Sequence, residues 1–203
     1  MEIRQLEARD TKQFCDLILN MYSNLDNLEW FSPMPYDFES VQNMIQKPRF
    51  FILGWFENGE LCAVSSLDYK CGKLIGKIEF PSDCNTEKLV EMGFNIVHSK
   101  HRGKGIMKQL ISVLLQKIKT DGFEYVFSKV HENNIASAKS FLNNGFQIHC
   151  AYSKPVQRTG FVEMSNQEFF SEKGKENAKQ TLQKLSSDEE EFFVNYNIWI
   201  KKL

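Results

Sequence analysis

The sequence contains no long apolar run, little net charge and few cysteines, and each of these absences excludes a class of protein. A membrane-spanning helix needs about 20 consecutive, predominantly apolar residues, and no segment of the 203-residue chain approaches this. The first ten residues, MEIRQLEARD, alternate polar and apolar side chains and have no apolar signal-peptide core. We therefore expect neither membrane insertion nor secretion.

The cysteine pattern argues against a disulfide framework and a structural zinc site. The five cysteines are odd in number, and they form no Cys-x-x-Cys pair and no pattern with paired histidines. They are Cys15, Cys62, Cys71, Cys84 and Cys150. This predicts a reducing, cytoplasmic compartment and no bound metal.

The charge and composition are those of an ordinary globular protein. Hydrophobic residues make up 42% of the chain and charged residues 25%, and the net charge is -1. A nucleic-acid partner would need a local basic patch, so none is expected. The length suits one domain with a sizeable core, and we assign residues 1–203 to a single domain.

Hydrophobic periodicity predicts strands and helices in alternation. Helices are expected over residues 11–22, 105–120 and 134–144. A further short helix is expected to begin after a cap at Asp37 or Ser40 and to end at residue 44. Strands are expected around Ile3 and Leu6, at 49–56 and 60–69, as a less regular pair within 73–80, and at 90–97, 123–130, 146–154 and 190–203. Asn58-Gly59 is a strong hairpin turn between the second and third of these, and 155–191 is a polar insertion in the last hairpin, with a helix within KENAKQTLQKL.

The segment before the third helix alternates in a way typical of a half-buried strand. The pattern places Val90, Met92, Phe94 and Ile96 toward the core, and Glu91, Gly93 and Asn95 on the opposite face.

A glycine turn follows that strand and opens the helix, which is the arrangement of an anion site. The first backbone N–H groups of a helix lack intrahelical partners, and glycine lets the chain approach a phosphate closely. Gly103 and Gly105 supply this turn, and Arg102, Lys104 and Lys108 add positive charge. A helix entry whose glycines serve turn geometry alone is the competing interpretation.

Two common phosphate loops do not fit this turn. The P-loop requires a Ser or Thr after Gly-Lys, and no hydroxyl stands there. The dinucleotide fingerprint requires a third glycine where this chain has Lys108. A nucleotide-binding domain is therefore disfavoured.

Two motifs together resemble those of the GNAT superfamily, the acetyl-CoA-dependent N-acetyltransferases. Arg102-x-x-Gly105-x-Met107 resembles the family's Arg/Gln-x-x-Gly-x-Gly/Ala motif. NIASAKSFLNNGF, which begins at Asn134, resembles its Asn-x-x-Ala/Ser-x-x-x-Tyr/Phe-x-x-x-Gly-Phe segment. The specific resemblance covers residues 89–146.

The resemblance implies an α/β fold with a central mixed, largely antiparallel twisted sheet flanked by helices and an insertion in the C-terminal strand hairpin. It also implies transfer of an acetyl group from acetyl-CoA to a primary amine of a small molecule, peptide or protein, by direct attack in a ternary complex without a metal. The pyrophosphate would be held by the turn formed by Arg102, Gly103, Lys104, Gly105, Ile106 and Met107. The thioester arm would pair with Asn95, Ile96 and Val97, and Asn134 would contact the cofactor unless it serves only as a helix N-cap.

The chain departs from the family pattern at two positions. Met107 stands where Gly or Ala is preferred, beside the phosphate turn, and its side chain is expected to point back into the core. Phe141 stands where many members carry a tyrosine that protonates the departing thiolate. These departures keep open a second hypothesis, a catalytically weak acyl-CoA-binding or sensing module.

Candidates for proton transfer follow from position. Glu91 lies on the polar face of the strand that should line the cleft, where family members often carry a carboxylate that acts through water, and a solvated strand glutamate is the alternative. His98 and His131 are further alternatives near the cofactor strands. Tyr152 or a water is the candidate acid.

The acceptor side has an aromatic candidate. Trp30, Phe31 and Tyr36 lie in a loop that borders the acceptor cleft in this fold, where they form either an apolar or cation-binding wall or a plug over the core. The insertion is expected to form a lid on the same side or a contact in a homodimer.

Overall fold

A seven-stranded sheet organises the chain in the computed structural model, which describes residues 1–25, 30–31, 34–70, 76–159, 162, 172–183 and 191–203. The strands are β1 (Glu2–Gln5), β2 (Phe50–Glu57), β3 (Glu60–Asp68), β4 (Leu89–Val97), β5 (Tyr125–His131), β6 (Gln147–Gln157) and β7 (Glu191–Lys202). Their order is β1-β2-β3-β4-β5-β7-β6. β4 and β5 pair in parallel and all other neighbours pair antiparallel. The predicted mixed, largely antiparallel sheet is confirmed.

Helices cover both faces of this sheet. They are α1 (Thr11–Ser23), α2 (Phe38–Gln46), α3 (Ile106–Thr120), α4 (Ile135–Leu142) and α5 (Glu172–Gln183). α1 and α2 contribute to one apolar cluster, and α3 buries its stripe, including Leu110, Ile111 and Leu114, in a cluster on the opposite face. Each such side chain contributes roughly 1.5–3 kcal/mol of transfer free energy. Within the described ranges, no helix combines the length and apolar character that a bilayer crossing requires.

Local sequence explains where several elements begin and turn. Asp37 caps α2, because its carboxylate accepts from the Ser40 amide at 2.9 Å. Asn58 and Gly59 adopt φ of 52° and 83°, the left-handed conformation of a tight hairpin turn between β2 and β3. Gly145 has φ of 77° just after α4, as expected for a left-handed helix end.

The strand pair predicted within residues 73–80 is wrong for the part that is described. Residues 76–80 contain an isolated bridge residue but no strand, and residues 73–75 lie outside the described residues. Ile78 and Phe80 instead pack on an apolar cluster with Phe127, whose ring lies 5.4 Å from that of Phe80. The apolar residues of this segment therefore cover the sheet from a loop.

The alternation predicted for β4 is wrong after Gly93. Val90 and Met92 pack in the α3-side cluster, whereas Ile96 packs in the α1-side cluster and Phe94 lies against it. The cause is a β-bulge, at which Val64 pairs with Ile96 but Ser66 pairs with Gly93. Because side chains alternate between the two faces of a sheet, one extra residue makes each later side chain of β4 point to the face opposite to the predicted one.

The described part of the insertion lies against α1. β6 and β7 form the last hairpin, and α5 belongs to the chain between them and packs on α1. The Asn177 amide donates to the Leu25 carbonyl, and Leu182 packs on the α1-side cluster. Helix α5 thus covers the C-terminal end of α1 on the same molecule.

A buried ion pair near the N-terminus couples stability to pH. Asp10 has 4% of its side chain exposed, and Arg4 donates to both of its carboxylate oxygens, at 2.6 and 2.8 Å. The Arg4 hydrogen bonds, aided by the Glu7 amide at 2.8 Å, hold the pKa of Asp10 below its ordinary value of 3.8. A depressed folded-state pKa contributes stability above the unfolded pKa, and this contribution is lost as pH falls through the folded value.

We expect Asp10→Asn to lower the free energy of unfolding at neutral pH by about 1.5–3 kcal/mol, because the buried carboxylate that accepts two charge-assisted hydrogen bonds from Arg4 is replaced by a neutral amide. It should also flatten the loss of stability below pH 3.8, measured by urea unfolding across pH. Asp16→Asn removes an exposed pair with Lys12 and should change stability by less than about 1 kcal/mol. Equal effects of the two substitutions would contradict the assignment.

Candidate active site

A cleft opens in the sheet where β4 and β5 separate. The two strands pair only over Leu89–Glu91 and Tyr125–Phe127. Beyond this point β4 stays with β3 and β5 stays with β7. A cavity of about 440 Å³ lies at the opening and is lined by residues of β4, β5, α1, α4, β7 and the glycine turn. This volume lies within the range of small-molecule sites.

The bulge of β4 forms one wall of the cleft. Phe94 has φ of 47°, an uncommon value for a non-glycine residue. Neither Phe94 nor Asn95 has a partner in the β3–β4 register, and the Asn95 side chain accepts from the Ser65 hydroxyl at 2.5 Å. Asn95, Ile96 and Val97, the predicted arm-binding residues, all line the cavity.

The glycine turn lies at the end of this wall. Gly103 and Gly105 have φ of 79° and 74°, which only glycine adopts without strain. Gly105 is the N-cap of α3, and no side chain caps this helix end. The first amides of α3, from Ile106 onward, therefore present the partial positive charge of a helix N-terminus, and no side chain of the described residues caps them.

Polar contacts fix the turn against α1 and β4. The Arg102 guanidinium donates to the carbonyls of Asn24 and Val97, at 2.9 and 3.4 Å. Asn20 on α1 accepts from the Ser99 amide at 2.9 Å. The pKa of His98 is lowered from its ordinary 6.5, mainly because the ring is partly buried and to a smaller extent because His101 is close. The neutral imidazole is therefore favoured. The turn is thus held in place before any ligand arrives.

Met107 and Asn134 both line the cavity. Met107 also packs against the α3-side cluster, in the direction expected for it. The Asn134 side-chain oxygen accepts from the Ser137 amide at 3.1 Å and caps α4. Asn134 is therefore a helix cap within the cleft. Its side-chain oxygen accepts the capping hydrogen bond, whereas its side-chain NH₂ group is a hydrogen-bond donor.

Ionisable and polar groups meet on the cavity wall where the strands part. Glu91 lines the cavity, with 17% of its side chain exposed, and pairs with Lys129 of β5 at 3.2 Å. His131 is buried, its Nδ1 accepts from the Asn133 amide at 3.2 Å, and its ring meets that of Tyr196 edge-on at 5.9 Å. Lys129, His131 and Tyr196 line the same cavity.

The tyrosine in this cavity is not the one that the sequence indicated. Tyr152 lies opposite Tyr196 in the β6–β7 register and packs between two apolar clusters, and the cavity lining found in the described chain does not include it. Phe141 is fully buried beside Phe146, with ring centroids 4.9 Å apart. Sequence reasoning missed Tyr196 and Lys129.

The predicted aromatic wall divides between cleft and core. Trp30 and Phe31 line the cavity, and the Trp30 indole N–H is buried with no hydrogen-bond acceptor within the described chain. Tyr36 instead packs on the α1-side cluster, edge-on to Tyr22 at 6.4 Å. Two of the three aromatic candidates therefore reach the cleft.

A comparison of the sequence with protein-family models decides the family. The model of the acetyltransferase (GNAT) family matches residues 16–146, which is more than half of the chain. The chain belongs to the GNAT acetyltransferase family. No curated protein sequence matches it significantly.

Solved structures of GNAT acetyltransferases share the fold over the whole chain. A ribosomal-protein-alanine N-acetyltransferase from Brucella melitensis superposes with a TM-score of 0.65 at 15% identity, with 100% of both chains covered. The protein yncA from Salmonella typhimurium, solved with its cofactor acetyl-CoA, gives 0.64 at 15%, with 100% of this chain and 94% of that one covered. The paiA N-acetyltransferase from Thermoplasma acidophilum, in complex with coenzyme A, gives 0.59 at 15%, with 100% and 98% covered.

Proposed function

We propose that this GNAT protein transfers an acetyl group from acetyl-CoA to the primary amine of a small molecule, peptide or protein. The observation that carries the proposal is a cavity lined by Glu91, by the bulged end of β4 and, at the glycine turn, by Arg102 and Met107. Two structural neighbours bind acetyl-CoA or coenzyme A, which supports the same ligand here. A cytoplasmic setting accords with the four free cysteines of the described chain.

The residues of the cleft fit the parts of acetyl-CoA in order. The turn from Arg102 to Met107 offers backbone amides to the pyrophosphate, and the Asn134 amide nitrogen can donate to the cofactor from α4. The bulge leaves Phe94 and Asn95 outside the β3–β4 register, so their backbone groups can pair with the amide-bearing arm. The bound thioester supplies an activated acyl group with a stable thiolate leaving group.

Glu91 is the proposed acceptor of the amine proton. Glu91 lines the cavity where β4 and β5 part, and the bulge of β4 lies between Glu91 and the glycine turn along the chain. An amine attacks only as the free base, so a carboxylate that takes the ammonium proton, directly or through water, enables attack. Lys129 holds the Glu91 carboxylate at 3.2 Å and keeps an opposite charge beside it.

Tyr196 is the proposed donor of a proton to the thiolate, in place of the tyrosine that Phe141 replaces. It lines the cavity from β7, next to the buried His131. We expect Tyr196→Phe to lower kcat by about 100-fold, the low end for general acid catalysis, because a thiolate leaves readily without help. Affinity for CoA should stay unchanged, because the glycine turn and the bulge of β4 are untouched.

Tyr152→Phe is the matched control, because Tyr152 sits directly opposite Tyr196 in the register and does not line the cavity. It should leave kcat within about twofold of the parent value. If Tyr152→Phe lost activity and Tyr196→Phe did not, Tyr152 rather than Tyr196 would be the proton donor.

The direct test of function is release of free thiol from acetyl-CoA across a panel of primary amines, with calorimetric CoA binding measured in parallel. Turnover on any amine that scales with protein concentration supports the proposal. CoA binding without turnover on the panel would favour an acyl-CoA-binding module, which the buried Phe141 keeps as the second candidate. Absence of CoA binding would refute both.

A further inference from the structure

We propose that Glu57, Cys62 and His101 form a zinc-binding site outside the acetyltransferase cleft. One ligand atom from each of these residues lies within 4.8 Å of the other two. None of the three lines the cleft cavity. The inference is independent of the proposed function and concerns a metal with no part in acetyl transfer.

The backbone brings these residues together from three elements. Glu57 ends β2, Cys62 is the extra residue of an irregularity in β3, and His101 ends the short 3-10 turn Ser99–His101. The His98 amide donates to the Cys62 carbonyl at 2.8 Å, which joins the β3 irregularity to that turn. Glu57 and Cys62 are 5 positions apart (62 − 57), whereas His101 lies 39 positions beyond Cys62 (101 − 62), so the sequence contains no compact Cys/His spacing motif for this cluster.

The distances suit a tetrahedral zinc ion. The His101 Nδ1 atom lies 3.4 Å from a Glu57 carboxylate oxygen. Zinc at ordinary bond lengths places a nitrogen and an oxygen ligand about 3.4 Å apart, and a sulfur and a nitrogen ligand about 3.6 Å apart. The Cys62 sulfur lies within 4.8 Å of both atoms, so a shift of up to about 1.2 Å completes a three-ligand site with water in the fourth position.

One nitrogen of this cluster is buried without a hydrogen bond to the described residues. His101 Nδ1 is buried and makes no hydrogen bond to any described residue, although the Glu57 carboxylate lies at ion-pair distance. A buried polar atom without a partner is costly, and a metal ion shared with Glu57 would satisfy it. The other Glu57 oxygen accepts from the Trp55 indole at 3.2 Å, an outer hydrogen bond of the kind that orients metal-binding carboxylates.

The donor set favours zinc over magnesium and calcium. Thiolate and imidazole are ligands that zinc accepts, whereas magnesium and calcium require oxygen donors. On binding, the Cys62 thiol loses its proton to solvent and a Zn–S bond forms, with no change of oxidation state. The ion would then tie the β2–β3 hairpin to the segment that enters the glycine turn.

The test is a cobalt(II) titration of the intact, metal-free protein without CoA, followed by zinc competition. We expect a near-ultraviolet thiolate-to-cobalt charge-transfer band that zinc abolishes. Cys62→Ser should remove the band, and His101→Gln should weaken cobalt affinity by more than the roughly 10–100-fold typical of losing a supporting residue. Trp55→Phe should fall within that 10–100-fold range, and Cys84→Ser is the matched control that keeps the band.

X-ray absorption of the zinc-loaded parent protein gives a second readout that does not depend on any variant folding. One sulfur per zinc, with the remaining ligands nitrogen or oxygen, is expected. Absence of a charge-transfer band, a band that persists in Cys62→Ser, or a zinc shell without sulfur would overturn the proposal. CoA binding and turnover decide the acetyltransferase proposal separately.

Discussion

Replacing Gly105 by aspartate is expected to weaken CoA binding by about 100-fold or more while the protein stays folded. Gly105 is the N-cap of α3 and has φ of 74°, and no described atom lies within 4 Å of a Cβ built there. The new side chain therefore meets no steric clash and costs about 1–2 kcal/mol of backbone strain. Its carboxylate, however, lies among the amides that would bind the pyrophosphate. Loss of two charge-assisted hydrogen bonds, each worth about 1.5–3 kcal/mol, accounts for the expected effect.

Two variants separate charge from strain in this experiment. Gly105→Asn has nearly the same shape as Gly105→Asp without the charge, and should retain most of the affinity. Gly122 lies just beyond the C-terminal end of α3, has φ of 83° and also has no described atom within 4 Å of a Cβ built there. Gly122→Asp therefore causes similar backbone strain at a site remote from the glycine turn. Calorimetry should show binding by Gly122→Asp close to the parent value. Equal CoA affinities for Gly105→Asp and Gly105→Asn would show that the pyrophosphate does not bind at this turn.

Much of the fold could be predicted because its determinants are local. The apolar stripe of α3, the Asn58-Gly59 turn and the Asp37 cap each act within a few residues of chain, and the structure has all three. The glycine turn belongs to the same class, since a strand, two positive-φ glycines and a helix are contiguous. The bulge at Phe94 could not be predicted this way. Phenylalanine suits either apolar face, so the sequence carries no mark of the extra residue.

The rest of the candidate site depends on strand order, which periodicity does not encode. β7 enters between β5 and β6, so its Tyr196 lies beside His131 on β5. Tyr152, on β6, is displaced one strand farther from the cleft. The sequence offered Tyr152 or a water as the acid and had no spacing signal for either, whereas sheet topology favours Tyr196, 65 positions beyond His131 (196 − 131). Lys129 was missed for a similar reason, because its partner Glu91 is reached only across the β4–β5 pair.

Glu91→Gln is expected to lower the rate of acetyl transfer by about 10²–10⁴-fold, the usual contribution of a general base. The amide keeps the shape of the carboxylate but cannot take a proton from the ammonium. CoA affinity should stay near the parent value, because the glycine turn and the bulge are untouched. The measurement is kcat with the best amine of the panel, alongside calorimetric CoA binding. Glu124→Gln is the matched control, since it breaks an ion pair with Lys88 just outside the closed end of the same two strands.

Lys129→Met decides whether Glu91 accepts a proton or serves only as the partner of Lys129. Both Glu91→Gln and Lys129→Met remove the 3.2 Å ion pair, but only the first removes the carboxylate. If the ion pair alone matters, the two variants lose the same activity. If Glu91 is the base, Lys129→Met keeps most of the turnover, because the carboxylate that takes the proton is still present. We expect the second result, because Glu91 lines the cavity of the proposed acetyl-transfer site at the point where β4 and β5 part.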